Sequence, residues 1–242
     1  MKHIISLGLV GLTSITQAAT MVDTQSFSGA ASQLGAFTPS STDLAQNGSS
    51  ALLSSTISDS GGFGDSGAND LGNGLITNDN SGAGTRGVFL RAVDYPSTFD
   101  LTFDTSVNTL GYDISEISTF AAWGNNGASL ANQLYTLEYS LVGDASFISL
   151  GQTDFTPFDG DSEDTSGATR VTHTGDAGAA LIASGVDAIR ITFEDSGVSN
   201  GGIFGTVYQE VDVIGVATAV PEPSSVALLG LGGLALILRR RK

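Results

Sequence analysis

The chain has no cysteine. That excludes a disulfide framework, a thiolate zinc site and any thiol chemistry. Positive charge is nearly as scarce, with nine Lys and Arg in 242 residues. Five of the nine lie at the two ends: Lys2, Arg239, Arg240, Arg241 and Lys242. Between Ala19 and Val220, four arginines (Arg86, Arg91, Arg170, Arg190) face twenty-four acidic residues, which leaves −20. Such a field repels a phosphate backbone, so nucleic acid is excluded as a partner. The body contains no lysine, so it has no phosphate loop of the Gly-Lys kind. Histidine is limited to His3 and His173, too few for a histidine-built metal site. A Ser-His-Asp hydrolase would have to use His173, and no nucleophile elbow accompanies it. What remains is a chain 40% hydrophobic, with 32 glycines and the length of one sandwich-sized domain.

The two ends read as addresses. Lys2 and His3 precede an apolar run from Ile4 to Leu12, and Thr16-Gln17-Ala18 offers small residues for cleavage. This is the three-part pattern of a secretory signal peptide over residues 1–18. At the other end, Pro221-Glu222-Pro223 precedes an uncharged stretch, 226–238, and then Arg239, Arg240, Arg241 and Lys242. The stretch is short for a span of roughly 20 residues, but the snorkelling arginines extend its reach. The basic cluster stays cytoplasmic by the positive-inside rule, which agrees with export of everything before it. The tail over 218–242 resembles the PEP-CTERM sorting signal of Gram-negative bacteria. The resemblance implies an inner-membrane intermediate anchored by the helix, cleavage by an exosortase, and delivery to the cell surface or beyond. Pro221 and Pro223 hold an extended backbone without amide donors, which suits a protease groove.

Between these ends, alternation dominates. Phe99, Leu101 and Phe103 alternate with Asp100, Thr102 and Asp104; Tyr135, Leu137, Tyr139 and Leu141 with Thr136, Glu138 and Ser140. Ile189, Ile191 and Phe193 alternate with Arg190, Thr192 and Glu194. Val207, Val211 and Val213 share a parity with Gln209, opposite Glu210 and Asp212. Such runs predict half-buried antiparallel strands. Weaker strands are expected at 52–57, 88–93, 110–114, 147–150 and 170–174, and one short helix at 177–183 behind Asp176. The prediction is an all-β chain forming a single antiparallel β-sandwich, a jelly roll, over 19–217. The strands around Tyr135-Thr136-Leu137-Glu138-Tyr139-Ser140 and Tyr208-Gln209-Glu210-Val211-Asp212-Val213 are similar to the galactose-binding-like, or discoidin-like, jelly roll. Many members of that fold bind glycans and others only pack beside enzymes, so the fold alone assigns no ligand.

Two places carry candidate chemistry. The loop DSGANDLGNGLITNDN offers Asp65, Asn69, Asp70, Asn73 and Asp79 as hard oxygen ligands on a glycine-permitted turn, the donor type calcium takes. Discoidin-like lectins resemble this in placing calcium in a loop before their first core strand. The second acidic run, DGDSED, lacks the glycine and distal glutamate of an EF-hand. Trp123, the only tryptophan, precedes Asn125 and Asn126 at a turn, a stacking face beside amide groups suited to a sugar. The alternative place for Trp123 is the core. The sequence therefore predicts a non-catalytic, exported surface or matrix protein associated with extracellular polysaccharide. Structural calcium is its one candidate cofactor, and the secretion machinery and an exosortase are its partners. A secreted glycan-cleaving enzyme and a purely structural surface protein are the alternatives.

Overall fold

The computed structural model of the chain describes residues 20–29, 37–58, 67–76, 87–91, 94–124, 127–159, 166–176, 179–200 and 203–220. The expected leader, the Pro221-Glu222-Pro223 motif, the 226–238 stretch and the basic cluster lie outside these residues. Among the described residues, no helix is long and apolar enough to cross a membrane.

Among the described residues, eleven strands follow in chain order: β1 (Thr20–Gly29), β2 (Leu52–Ile57), β3 (Val88–Arg91), β4 (Ser97–Phe103), β5 (Tyr112–Trp123), β6 (Gln133–Leu141), β7 (Ile148–Phe155), β8 (Ser166–Gly175), β9 (Ala183–Phe193), β10 (Ser199–Asn200) and β11 (Ile203–Ala217). All described pairings are antiparallel. Apart from β10, which pairs only with β11, they form two five-stranded arrays, β2-β4-β9-β6-β7 and β1-β8-β5-β11-β3. The arrays meet where Tyr112 and Ile114 at the start of β5 pair with Val186 and Ala183. The chain repeatedly crosses from one array to the other, so the inner faces come from strands far apart in sequence.

Those faces make the core. Phe99, Leu101, Tyr135, Leu137, Ile189, Ile191 and Phe193 of the first array meet Ile117, Val171, Tyr208, Val211 and Val213 of the second, all nearly sealed from solvent. The Phe193 and Tyr208 rings lie 4.0 Å apart. β4 alternates strictly between buried and half-buried, as its pattern of apolar and polar residues requires. β5 is buried on both faces beyond Ile117. Its outer face is covered by a third layer of irregular chain: Phe37 packs over Phe120 at 6.2 Å, and the Arg170 guanidinium lies 5.5 Å from the Phe37 ring.

Two expectations are corrected. Of the expected helix 177–183, residues 177 and 178 lie outside the described residues, 179–182 are irregular, and β9 begins at Ala183. The amide of Ala179 donates to the Asp176 carbonyl and that of Ile182 to the Ile114 carbonyl, so the segment turns into the sheet. The alanines' helix propensity, tenths of a kcal/mol per residue, yields to that pairing. In β11, a bulge between Tyr208 and Glu210 breaks the alternation. Tyr208, Val211 and Val213 therefore share the core, while Val207 joins a small cluster with Leu130 and Trp123.

Candidate metal centre

The third layer rests on β11 through two segments. In one, residues 40–47, the amide of Leu44 donates to the Val213 carbonyl at 2.8 Å. The other is the 3₁₀ turn Gly67–Gly72 with its continuation to residue 76. They interlock where the Asn47 amide donates to the Gly72 carbonyl at 2.6 Å. A Cβ at Gly72 would stand 2.5 Å from the Ala45 carbonyl oxygen, so the approach needs glycine.

Beneath this layer Glu210 and Asp212, on the outer face of β11, join Asp43 in a dry acidic cluster. Glu210 is 0% exposed, Asp43 4% and Asp212 5%. One oxygen of each carboxylate is well served. Glu210 Oε2 accepts the amides of Asn73, Gly74 and Leu75 at 3.1, 2.7 and 3.2 Å. Asp212 Oδ2 accepts the Ser40 amide at 2.7 Å. Asp43 Oδ1 accepts the amides of Ala45 and Val213 at 2.8 and 3.2 Å. The other oxygens, Glu210 Oε1, Asp212 Oδ1 and Asp43 Oδ2, have no partner, and neither do the amide oxygens of Gln46 and Asn73. These five buried acceptors lie on three interlocked segments. The ion pairs Arg91–Asp94, Arg170–Asp23 and Arg190–Asp100 involve none of them.

Desolvation, then repulsion from Asp212, pushes Glu210 up to about 8; desolvation likewise pushes Asp212 up to about 7 and raises Asp43. A proton would discharge a carboxylate, but on Glu210 it would have to sit on Oε1, because Oε2 already accepts three amides. The three amides on Oε2 are instead the partners of an ionised carboxylate. A cation would satisfy both conditions: it would remove the repulsion and give the unpartnered oxygens a ligand role. Among the described residues, no three carboxylate or imidazole side chains converge into a cage by themselves. A donor set for a cation would therefore mix carboxylate with amide oxygen. Calcium accepts such a mixture in irregular geometry, whereas magnesium demands a tight octahedron and keeps its water.

The structure redistributes the residues picked from sequence. Asn73 belongs to this cluster, its backbone holding Glu210 and its Nδ2 donating to the Asp70 carbonyl at 2.8 Å. Asp70 and Asn69 lie in the 3₁₀ turn, with Asp70 buried. Asp65 and Asp79 are outside the described residues. Sequence reasoning did not pick Asp43, Gln46, Glu210 or Asp212. The available signal was a pair of carboxylates on one parity of an otherwise apolar strand. Trp123 is half-buried against Leu130 and Val207, and Asn125 and Asn126 are outside the described residues. Trp123 ends β5 at the sandwich end where β4 begins and β9 finishes. There Tyr95, Pro96, Thr192, Glu194 and Asp195 line an open groove of about 460 Å³.

No curated protein matches the chain. Solved structures similar to it include the following two. CpGH89CBM32-5 from Clostridium perfringens, in complex with GalNAc-β-1,3-galactose, is 14% identical with a TM-score of 0.39, covering 66% of this chain and 94% of its own. The F5/8 type C domain of a Bacteroides fragilis protein is 13% identical with a TM-score of 0.39, covering 69% and 92%. Residues 219–242 match the PEP-CTERM protein-sorting motif, so the chain ends in that sorting signal.

Proposed function

We propose that this is an exported, exosortase-processed surface protein whose single β-sandwich is non-catalytic and is clasped by one calcium ion. The sorting motif at 219–242 supports the destination. The observation that carries the chemistry is the set of five unpartnered buried oxygens on Asp43, Gln46, Asn73, Glu210 and Asp212. A cation held there ties residues 40–47 and 70–76 to β11, so its role is structural. The non-catalytic reading rests on His173, 2% exposed within the sandwich and pulled down to about 4 by desolvation. An imidazole sealed there reaches no substrate.

The test of the metal is thermal unfolding of the exported protein after chelation, followed by titration with calcium or magnesium. Calcium should restore stability at lower concentration than magnesium; a transition indifferent to both removes the proposal. The test of sorting is Glu222→Ala in an exosortase-bearing host, where a larger, membrane-retained product is expected. Processing identical to wild type would overturn it.

A second reading concerns the ligand. The groove beside Tyr95 and Pro96 combines an aromatic face with Glu194 and Asp195, on the sandwich end that also carries Trp123. Glu194 is positioned by Thr136 Oγ1 and Gln152 Nε2, which donate to its two oxygens at 2.9 and 2.8 Å. Aromatic faces with fixed acceptors suit a neutral polysaccharide, each hydrogen bond netting on the order of 1 kcal/mol. Retardation in polysaccharide gels without release of reducing ends would support it. Release of reducing ends would favour the glycan-cleaving alternative, and neither effect the purely structural one.

A further inference from the structure

β1 is an edge strand, and its exposure is unusual. Among the described residues it pairs with β8 alone, residue for residue from Thr20↔Gly175 to Gly29↔Ser166. Val22 faces the same side of the sheet as its partner His173, which is 2% exposed, yet Val22 itself is 48% exposed. The facing first array therefore stops short of β1, and the strand overhangs. On its other side, Met21 and Phe27 are 53% and 42% exposed. Natural edge strands are normally blunted by lysine, proline or several charges. The segment TMVDTQSFSG has no lysine or proline, and its one charge is Asp23.

We propose that β1 is a homodimerisation edge, pairing antiparallel with β1 of a second copy about a two-fold axis through Thr24. The two sides of the sheet restrict the register. Continuing the sheet requires inner residues to oppose inner residues, so the paired numbers must sum to an even value. Centring on Thr24 places Met21 against Phe27, Val22 against Ser26 and Asp23 against Gln25. Each exposed methionine then meets a phenylalanine, a favourable sulfur–aromatic pair. No like charges are opposed, which matters in a body of −20. The side-chain Nε2 of Gln25 already donates to Asp23 Oδ2 within the strand at 3.3 Å, and Arg170 Nη2 lies 3.9 Å from the same oxygen. Centring one residue later would set Asp23 against Phe27 and strand both Met21 side chains against glycine.

The chain has no cysteine, so one engineered thiol reports its own neighbourhood without background. In full-length protein exported by its host, Thr24→Cys should move most of the chain to twice its mass under mild oxidation. Gln25→Cys should not, because its two copies lie beyond the ~7 Å Cα separation a disulfide spans. Val107→Cys, at an exposed site away from β1, should also stay monomeric. The unmodified exported protein should sediment as a dimer, and Met21→Lys with Val22→Lys should weaken dimerisation about tenfold or more. Both lysines would stand at exposed positions, so the fold should survive. Cross-linking through Gln25→Cys but not Thr24→Cys would overturn the register and with it the proposal. Sedimentation of the unmodified protein as a monomer at high micromolar concentration would overturn it outright.

Discussion

Two clusters of buried polar groups lie on opposite faces of the same array, and they solve desolvation differently. Inside the sandwich, Thr119 Oγ1 donates to Gln133 Oε1 at 2.7 Å, Gln133 Nε2 donates to Thr169 Oγ1 at 2.9 Å, and the Tyr135 hydroxyl lies 2.9 Å from His173 Nε2. Hydroxyl, amide and imidazole each bring donors as well as acceptors, so the cluster nearly closes on itself, with His173 Nδ1 left over. Outside, under the third layer, carboxylates and amide oxygens bring acceptors, and five stay unpartnered. Equal burial thus has different consequences. The neutral cluster can specify how the two arrays meet, while the acidic one needs a positive charge from elsewhere.

The largest expected effect breaks the acidic cluster. Glu210→Ala leaves three backbone amides without their acceptor and should cost about 3–5 kcal/mol, as removal of one partner from a buried charged network does. It should also abolish the response to calcium, measured by chemical unfolding with and without chelator. Next is the ion itself. A ligand at a hundredfold its Kd stabilises by about 2.7 kcal/mol, so saturating calcium should raise the unfolding midpoint of wild type. Thr119→Val, which disrupts only the inner cluster, should lower the midpoint while keeping the calcium increment.

The inner cluster has its own signature in acid. His173 ordinarily titrates near 6.5 but is held down to about 4. Between those values the unfolded chain binds the proton and the folded one does not. Stability contributed by the neutral imidazole is full above pH 6.5 and is lost as pH falls through that window towards 4. The loss reaches about 3 kcal/mol, and most of it should vanish in His173→Phe, read from stability against pH. The smallest effect lies on the solvent face of the first array. Arg190 grips Asp100 with two bonds of 2.8 Å and lies 4.1 Å from the Phe147 ring. Both side chains are about a third exposed, so Asp100→Asn should cost only about 0.5–1 kcal/mol, without dependence on calcium.

The strands were legible because alternation is a local property. β2 spans 52–57 as expected, β4 and β9 bury the residues their parity marks, and β6 does so up to Tyr139, after which Ser140 is buried and Leu141 half-buried. The ends of β5, β7 and β8 run beyond the expected segments, since strand length is set by what lies alongside. Asn73 stood out as a candidate oxygen ligand from its loop composition, but its neighbours Glu210 and Asp70 in the fold were not legible there.

The sequence by itself determined the all-β class, the absence of thiol and phosphate-loop chemistry, and the sorting signal, because composition and period need no partner to be read. Only the tertiary structure decided which carboxylates matter. Glu210 follows Asp43 by 167 positions and Asn73 by 137, and nothing local links them. A bulge one residue wide lets Tyr208 share the core with Val211 and Val213 while Glu210 stays on the outer face, and the layer folded over it removes the water. An acidic residue in a wet turn and one under that layer look the same in sequence; they differ in the free energy of hydration each has lost.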